Sequence, residues 1–149
     1  MKHGWSSPEL IQRLRTADVL PTLQRLAIGS VMLPHPSHMT AEQVLVAARE
    51  CVPGISRATV YSTLQMFVRQ GLLRELLMDG EATIYDSNTQ PHHHLYHVDT
   101  GRVEDLPCGQ LRVSGLPELD DDLEMADIDV IVRVRSRKNP ASSSETPSA

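Results

Sequence analysis

The chain reads as a mixed helix-and-strand (α+β, or α/β) protein, an N-terminal winged helix-turn-helix followed by a small α/β lobe. Three observations carry that reading. Four capped, amphipathic helical stretches fill the first half, and two strand-like runs separated by Asp79-Gly80 come directly after them. The second half then changes to strand-like patterning around the run His92-His93-His94-Leu95-Tyr96-His97.

Ser7-Pro8-Glu9 joins a capping hydroxyl to a first-turn proline, and Leu10, Ile11 and Leu14 supply an apolar stripe, so a first helix extends to about Asp18. Thr22 caps a second helix with Leu23, Leu26, Ala27, Ser30 and Val31 facing inward, and Pro34-His35-Pro36 stops it. Thr40 and Gln43 form a capping-box pattern ahead of Val44, Leu45 and Ala48, which predicts a third helix to about Cys51, with Pro53-Gly54 breaking the chain. Ser56 opens a fourth helix whose Val60, Leu64, Phe67 and Val68 share one face, and Gly71 sits at its expected end. The opposite face presents Arg57, Tyr61, Ser62, Gln65 and Arg69, side chains able to bond phosphate or base edges.

Residues 72–78 and 81–87 flank Asp79-Gly80, a dipeptide suited to the positive φ angles of a tight hairpin turn, and complete the wing. Strand-like patterning resumes over 93–99, turns at Thr100-Gly101 and returns over 102–106, whereas 107–124 is loop-rich. Ile128, Val130, Val132 and Val134 alternate with Asp129, Ile131, Arg133 and Arg135, the pattern of a strand with one buried face. So small a three-stranded lobe leaves an apolar face uncovered, which pairing with a second copy would cover. The expected domains are 1–82, a winged-helix DNA-binding domain, 83–138, a dimerisation and sensing domain, and 139–149, a Pro/Ser-rich disordered tail.

The net charge of −5 argues against a nucleic-acid partner, but its distribution is uneven. Residues 1–80 balance to +2 and residues 81–149 to −7, so the front half can approach phosphate and the back half, with Asp120-Asp121-Asp122, avoids it. No stretch is apolar enough to span a membrane, and MKHGWSSPEL lacks the apolar core of a signal peptide, so a cytoplasmic protein is expected. The two cysteines, Cys51 and Cys108, form no C-x2-C pair; each is read as a small hydrophobe, and neither a disulfide framework nor a thiolate zinc site is expected.

Imidazole and carboxylate without thiolate suit Fe, Mn or Zn. In an extended segment His92 and His94 project from one side, about 7 Å apart at Cα, close enough to clamp one ion, with Asp86 able to add an oxygen. His93 points the other way, as a haem ligand, a second-site ligand or a solvent-exposed ring. Solvated surface histidines are the bland alternative for the whole run. A small iron oxygenase using His92, His94 and a carboxylate is a reading from another class, but it gives no use to the capped helix and wing. A structural zinc adaptor that only dimerises is a third, and it predicts no affinity for duplex DNA.

Several motifs then converge. Leu23-Gln24-Arg25-Leu26-Ala27-Ile28, His38-Met39-Thr40-Ala41-Glu42, Ile55-Ser56-Arg57-Ala58-Thr59-Val60-Tyr61, Tyr85-Asp86 and the triple histidine closely resemble the ferric uptake regulator superfamily over roughly residues 10–135. The resemblance implies a homodimer binding double-stranded DNA, with a regulatory metal held by His38, Asp86, His92, His94 and Asp105. The DNA contacts implied are Arg25, Arg57, Thr59, Tyr61, Ser62 and Gln65. His97 and Thr100 stand where many relatives carry the first C-x2-C pair of a structural zinc, and the tail holds no cysteine, so that four-cysteine site is expected to be absent.

Together with the short loop at Leu116-Pro117-Glu118 and the ending from Asp127 to Arg135, these features are similar to the iron response regulator branch. There the run His92, His93 and His94 implies haem sensing. Val52 follows Cys51 and Pro107 precedes Cys108, so a separate Cys-Pro haem motif is not encoded. Leu20 stands where many relatives place a basic residue in the minor groove, and Ser62 where an arginine is usual, with Arg57 one turn earlier as the compensating cation. The function expected is a metal- or haem-responsive regulator of iron homeostasis acting on an A·T-rich inverted repeat, with peroxide sensing through iron as the rival within the family.

Overall fold

The computed structural model describes residues 7–78, 80 and 82–137, which divide between Gln90 and Pro91 into two compact units. The first unit holds α1 (Pro8–Thr16), α2 (Leu23–Met32), β1 (His38–Thr40), α3 (Ala41–Cys51), α4 (Arg57–Arg69), β2 (Arg74–Leu76) and β3 (Ile84–Asp86). The second holds β4 (His93–His97), β5 (Val103–Leu106), a 3-10 turn at Cys108–Gln110 and β6 (Ile131–Val134). The expected tail over 139–149, and Asp79 of the expected turn, lie outside the described residues.

Each helix starts where its capping residue stands. The side chains of Ser7, Thr22, Thr40 and Ser56 accept from the backbone N–H of Leu10, Arg25, Gln43 and Thr59, satisfying donors that an uncapped first turn would leave bare. At α3 the box is reciprocal: Gln43 N–H donates to Thr40 Oγ1, and Thr40 N–H donates to Gln43 Oε1. Leu14, Ile28, Met32, Val44, Val60, Leu64 and Phe67 are fully buried in one core shared by the four helices. One helix face needs correction. The inward side of α2 is Leu26, Ala27, Ile28, Gly29 and Met32, while Leu23 is exposed and Ser30 and Val31 are half-buried. Gly29 explains the rotation, because a Cβ there would meet Leu10 Cδ1 at 3.3 Å, so α2 turns its smallest residue toward α1.

The wing strands are shorter than the apolar runs that announce them, and they gain a third member. The first sheet has the order β1-β3-β2, antiparallel throughout, with His38, Asp86 and Arg74 in one register row and Met39, Tyr85 and Glu75 in the next. Because β3 pairs on both edges inside this sheet, it belongs to the first unit. Gly80, at the tip, has φ +71.

In the second unit the order is β5-β4-β6, with β5 antiparallel and β6 parallel to β4. Gly101, with φ +75, makes the turn between β4 and β5. Strand β6 is confined to Ile131–Val134, and its residues are half-buried or exposed rather than buried on one face. No helix among the described residues is long and apolar enough to cross a membrane.

Candidate metal centre and recognition helix

The alternation along β4 sorts its histidines. Residues 92, 94 and 96 are buried and 93, 95 and 97 only half-buried, as a strand with distinct faces requires. On the buried face His92 Nε2 lies 3.1 Å from Asp105 Oδ1, and the His92 and His94 rings stand edge to face with centroids 4.5 Å apart. Asp105 reaches them because it sits directly opposite His94 in the β4–β5 register. His92, His94 and Asp105 each offer a ligand atom within 4.8 Å of the others.

On the other face His93 Nδ1 accepts from the Val130 N–H at 3.3 Å, fastening the approach to β6. His93 is therefore a structural acceptor rather than a solvated ring. Further along, His97 Nε2 lies 3.2 Å from Glu104 Oε2, and Arg102 also pairs with Glu104. The His97 hydrogen bond, first among the causes, holds the Glu104 carboxyl below its ordinary range.

The first unit carries its own histidine–carboxylate pair. His38 on β1 and Asp86 on β3 are register partners, and His38 Nε2 lies 3.2 Å from Asp86 Oδ2. Asp86 is 1% exposed, and its Oδ1 accepts from the Asn88 N–H at 2.8 Å. A ring nitrogen facing a carboxylate oxygen at this distance needs a proton or a cation between them. Nitrogen and oxygen donors without thiolate fit Fe, Mn or Zn.

The outward face of α4 carries Arg57, Tyr61, Ser62, Gln65 and Arg69, all exposed. Five of the six residues expected to meet DNA are already engaged. Arg57 pairs with Glu42 of α3. The Ser62 hydroxyl donates to Thr59 O at 3.1 Å, and Gln65 Nε2 donates to Glu75 Oε1 at 2.9 Å and to Tyr85 Oη at 3.4 Å. Thr59 belongs to the cap, its Oγ1 accepting from Ser56 Oγ at 2.9 Å. Arg25 Nη1 donates to Leu20 O at 3.0 Å, bracing the turn before α2. Tyr61, 43% exposed, stands out from this face. Sequence reading missed Glu42, Glu75 and Tyr85 as partners, because only the tertiary register brings them to α4.

A family model for the ferric uptake regulator family matches residues 17–115. The chain belongs to that family. Its members are metal-responsive transcriptional regulators and not enzymes. The chain is 35% identical over 103 residues to the peroxide-responsive repressor PerR of Staphylococcus epidermidis, covering 69% of each protein. It is 33% identical over 104 residues to the transcriptional regulator FurA of Mycobacterium tuberculosis, covering 69% of this chain and 70% of that one. Among solved structures, the ferric uptake regulator from Pseudomonas aeruginosa with manganese matches with TM-score 0.62 and 27% identity, over 85% of this chain and 97% of that one. The fold is thus that of a DNA-binding domain followed by a dimerisation domain.

Proposed function

We propose that this family member is a cytoplasmic homodimer that regulates iron homeostasis by binding an A·T-rich inverted repeat, one α4 to each major groove. Its switch is one divalent ion held by His38 and Asp86 from the first unit and His92, His94 and Asp105 from the second. The observation that supports this best is that each unit independently sets a histidine nitrogen against a carboxylate oxygen, at 3.2 Å and 3.1 Å. When bound, the ion supplies positive charge and a fixed ligand geometry. The residues themselves do the rest. His38 lies two positions before the Thr40 cap of α3, and Asp86 lies on the strand that joins β1 to the wing, so both ligands are wired into the DNA-binding unit. A ligand set drawn from two units favours the arrangement in which all five groups converge, and DNA that fits that arrangement is bound more tightly.

Replacing His92 or His94 with Ala is expected to abolish the Mn(II)-dependent rise in duplex affinity, read by gel shift at stated salt, while sedimentation still finds a dimer. An unchanged metal response in both variants refutes the assignment.

Haem is the other occupant that the histidine run implies. With Nδ1 accepting from Val130, the neutral His93 ring carries its proton on Nε2, so His92 or His94 would be the better nitrogen ligand if haem were bound. Peroxide sensing is a second reading, favoured by the Asp105 carboxylate beside His92. An added oxygen on a ligand histidine, formed only when iron is bound, marks that reading.

A further inference from the structure

Strand β3 carries two adjacent residues that serve opposite faces of the first sheet. Asp86 shares a row with His38 and Arg74, whereas Tyr85 shares one with Met39 and Glu75. Successive strand residues point to opposite sides, so one peptide unit separates the Asp86 carboxylate from the Tyr85 ring. Tyr85 is 2% exposed and its hydroxyl reaches Gln65 of α4, 3.4 Å from Nε2. The same Gln65 nitrogen donates to Glu75 at 2.9 Å. Gln65 sits on the outward face of α4, one turn after Tyr61, yet its amide nitrogen is committed to the sheet.

We propose that Gln65 is a positioning residue rather than a base reader: with Tyr85 and Glu75 it fixes the recognition helix to β3, so that what Asp86 holds sets the pose of Tyr61 on DNA. This rests on the metal-switch reading above and adds the route by which the switch reaches α4. For Gln65 to offer its amide nitrogen to a base, both bonds to the sheet must break, leaving the Glu75 carboxylate and the buried phenol without their shared donor. Residues of the same row, Glu75 and Tyr85, are held opposite each other by the β2–β3 pairing, so any shift of β3 is passed to both of the groups that hold Gln65. The coupling needs no contact outside the first unit.

The test uses the full chain, Mn(II) as the metal, and duplexes selected from a randomised pool by the manganese-loaded wild type. Gln65→Ala, Tyr85→Phe and the exchange Gln65→Glu with Glu75→Gln are compared. Calorimetry gives Mn(II) affinity without DNA, and fluorescence anisotropy gives DNA affinity with Mn(II) and with chelator. Mn(II) binding is expected to match wild type in every variant. The ratio of the two DNA affinities is expected to fall by about fivefold in each single variant and to recover in the exchange, which restores a carboxylate–amide pair in reverse.

An unchanged ratio in Gln65→Ala overturns the proposal. So does a Gln65→Ala protein that reselects a different base in each half-site and is not rescued by the exchange, since that is the signature of a base reader. If Tyr85→Phe fails to bind Mn(II), the exposed Gln65 position and its exchange decide the matter alone. A wild-type ratio of one overturns the metal switch itself and this coupling with it; a wild-type ratio above one with unchanged variants overturns only the coupling.

Discussion

Tyr85 illustrates how a single side chain is governed by its surroundings. Burial is the main reason its phenol is harder to ionise than usual; the Glu75 carboxylate adds to this, and the Gln65 hydrogen bond acts in the opposite direction. In the unfolded chain the phenol ionises around its ordinary value of 10.0, and in the folded protein later. Between those two points the folded state binds more protons, so Tyr85's contribution is complete below the unfolded value and is lost as pH rises through the folded one. Denaturant midpoints measured across the alkaline range should therefore fall less steeply for Tyr85→Phe than for wild type, and equal slopes would contradict the burial argument. Glu104 runs the other way. Its carboxyl is lowered by the His97 hydrogen bond, so what it contributes is present above the unfolded carboxylate range and lost as pH falls through the folded value; its exposure keeps that contribution small. Of the proposed metal ligands, His92, His94 and Asp86 were legible as residue types and spacing. His38 and Asp105 entered only with the family resemblance, because Asp105 meets His92 through the β4–β5 register and His38 meets Asp86 through the β1–β3 register.

At the scale of elements, the four helices follow from local chemistry: a hydroxyl cap at each start, apolar residues at helical spacing, and beyond the end a proline or glycine for α2, α3 and α4 and Asp18, with φ +59, for α1. Phe67 of α4 is fully buried in the shared core, and a Cβ placed at Gly29 of α2 would lie 3.8 Å from its Cζ. Phe67→Ala is expected to cost about 3–5 kcal/mol of stability, read by chemical denaturation; a loss below about 1 kcal/mol would mean that the core is not organised around α4. The strands were harder to read for a physical reason. β1 has only three residues, no alternation of its own, and exists because β3 offers it an edge, a partner distant in sequence. The face of α2 was rotated for the same kind of reason, since Gly29 contributes nothing to a hydrophobic pattern yet permits the close approach to Leu10. β6 was expected from its alternation and found, but in a single chain its valines are covered only partly, and Val113, Leu116, Leu119, Leu123 and Met125 of the preceding segment stay exposed. That apolar surface is consistent with the proposed pairing of two copies.

For the whole molecule, charge and architecture agree. Residues 1–90, which carry the recognition helix, balance to zero, and the whole net charge of −5 falls on residues 91–149. The family resemblance read from short motifs is matched by the family model over 17–115, while the branch within the family depends on the histidine run and the missing cysteines. The proposed switch requires one ion to be held by ligands from both units. Mn(II) binding to the full chain, titrated for wild type, His38→Ala and His94→Ala, addresses it most directly. A shared site is expected to be weakened by at least about tenfold in both variants, one altered in the DNA-binding unit and the other in the sensing unit. Full wild-type affinity in His38→Ala, with loss only in His94→Ala, would contradict it.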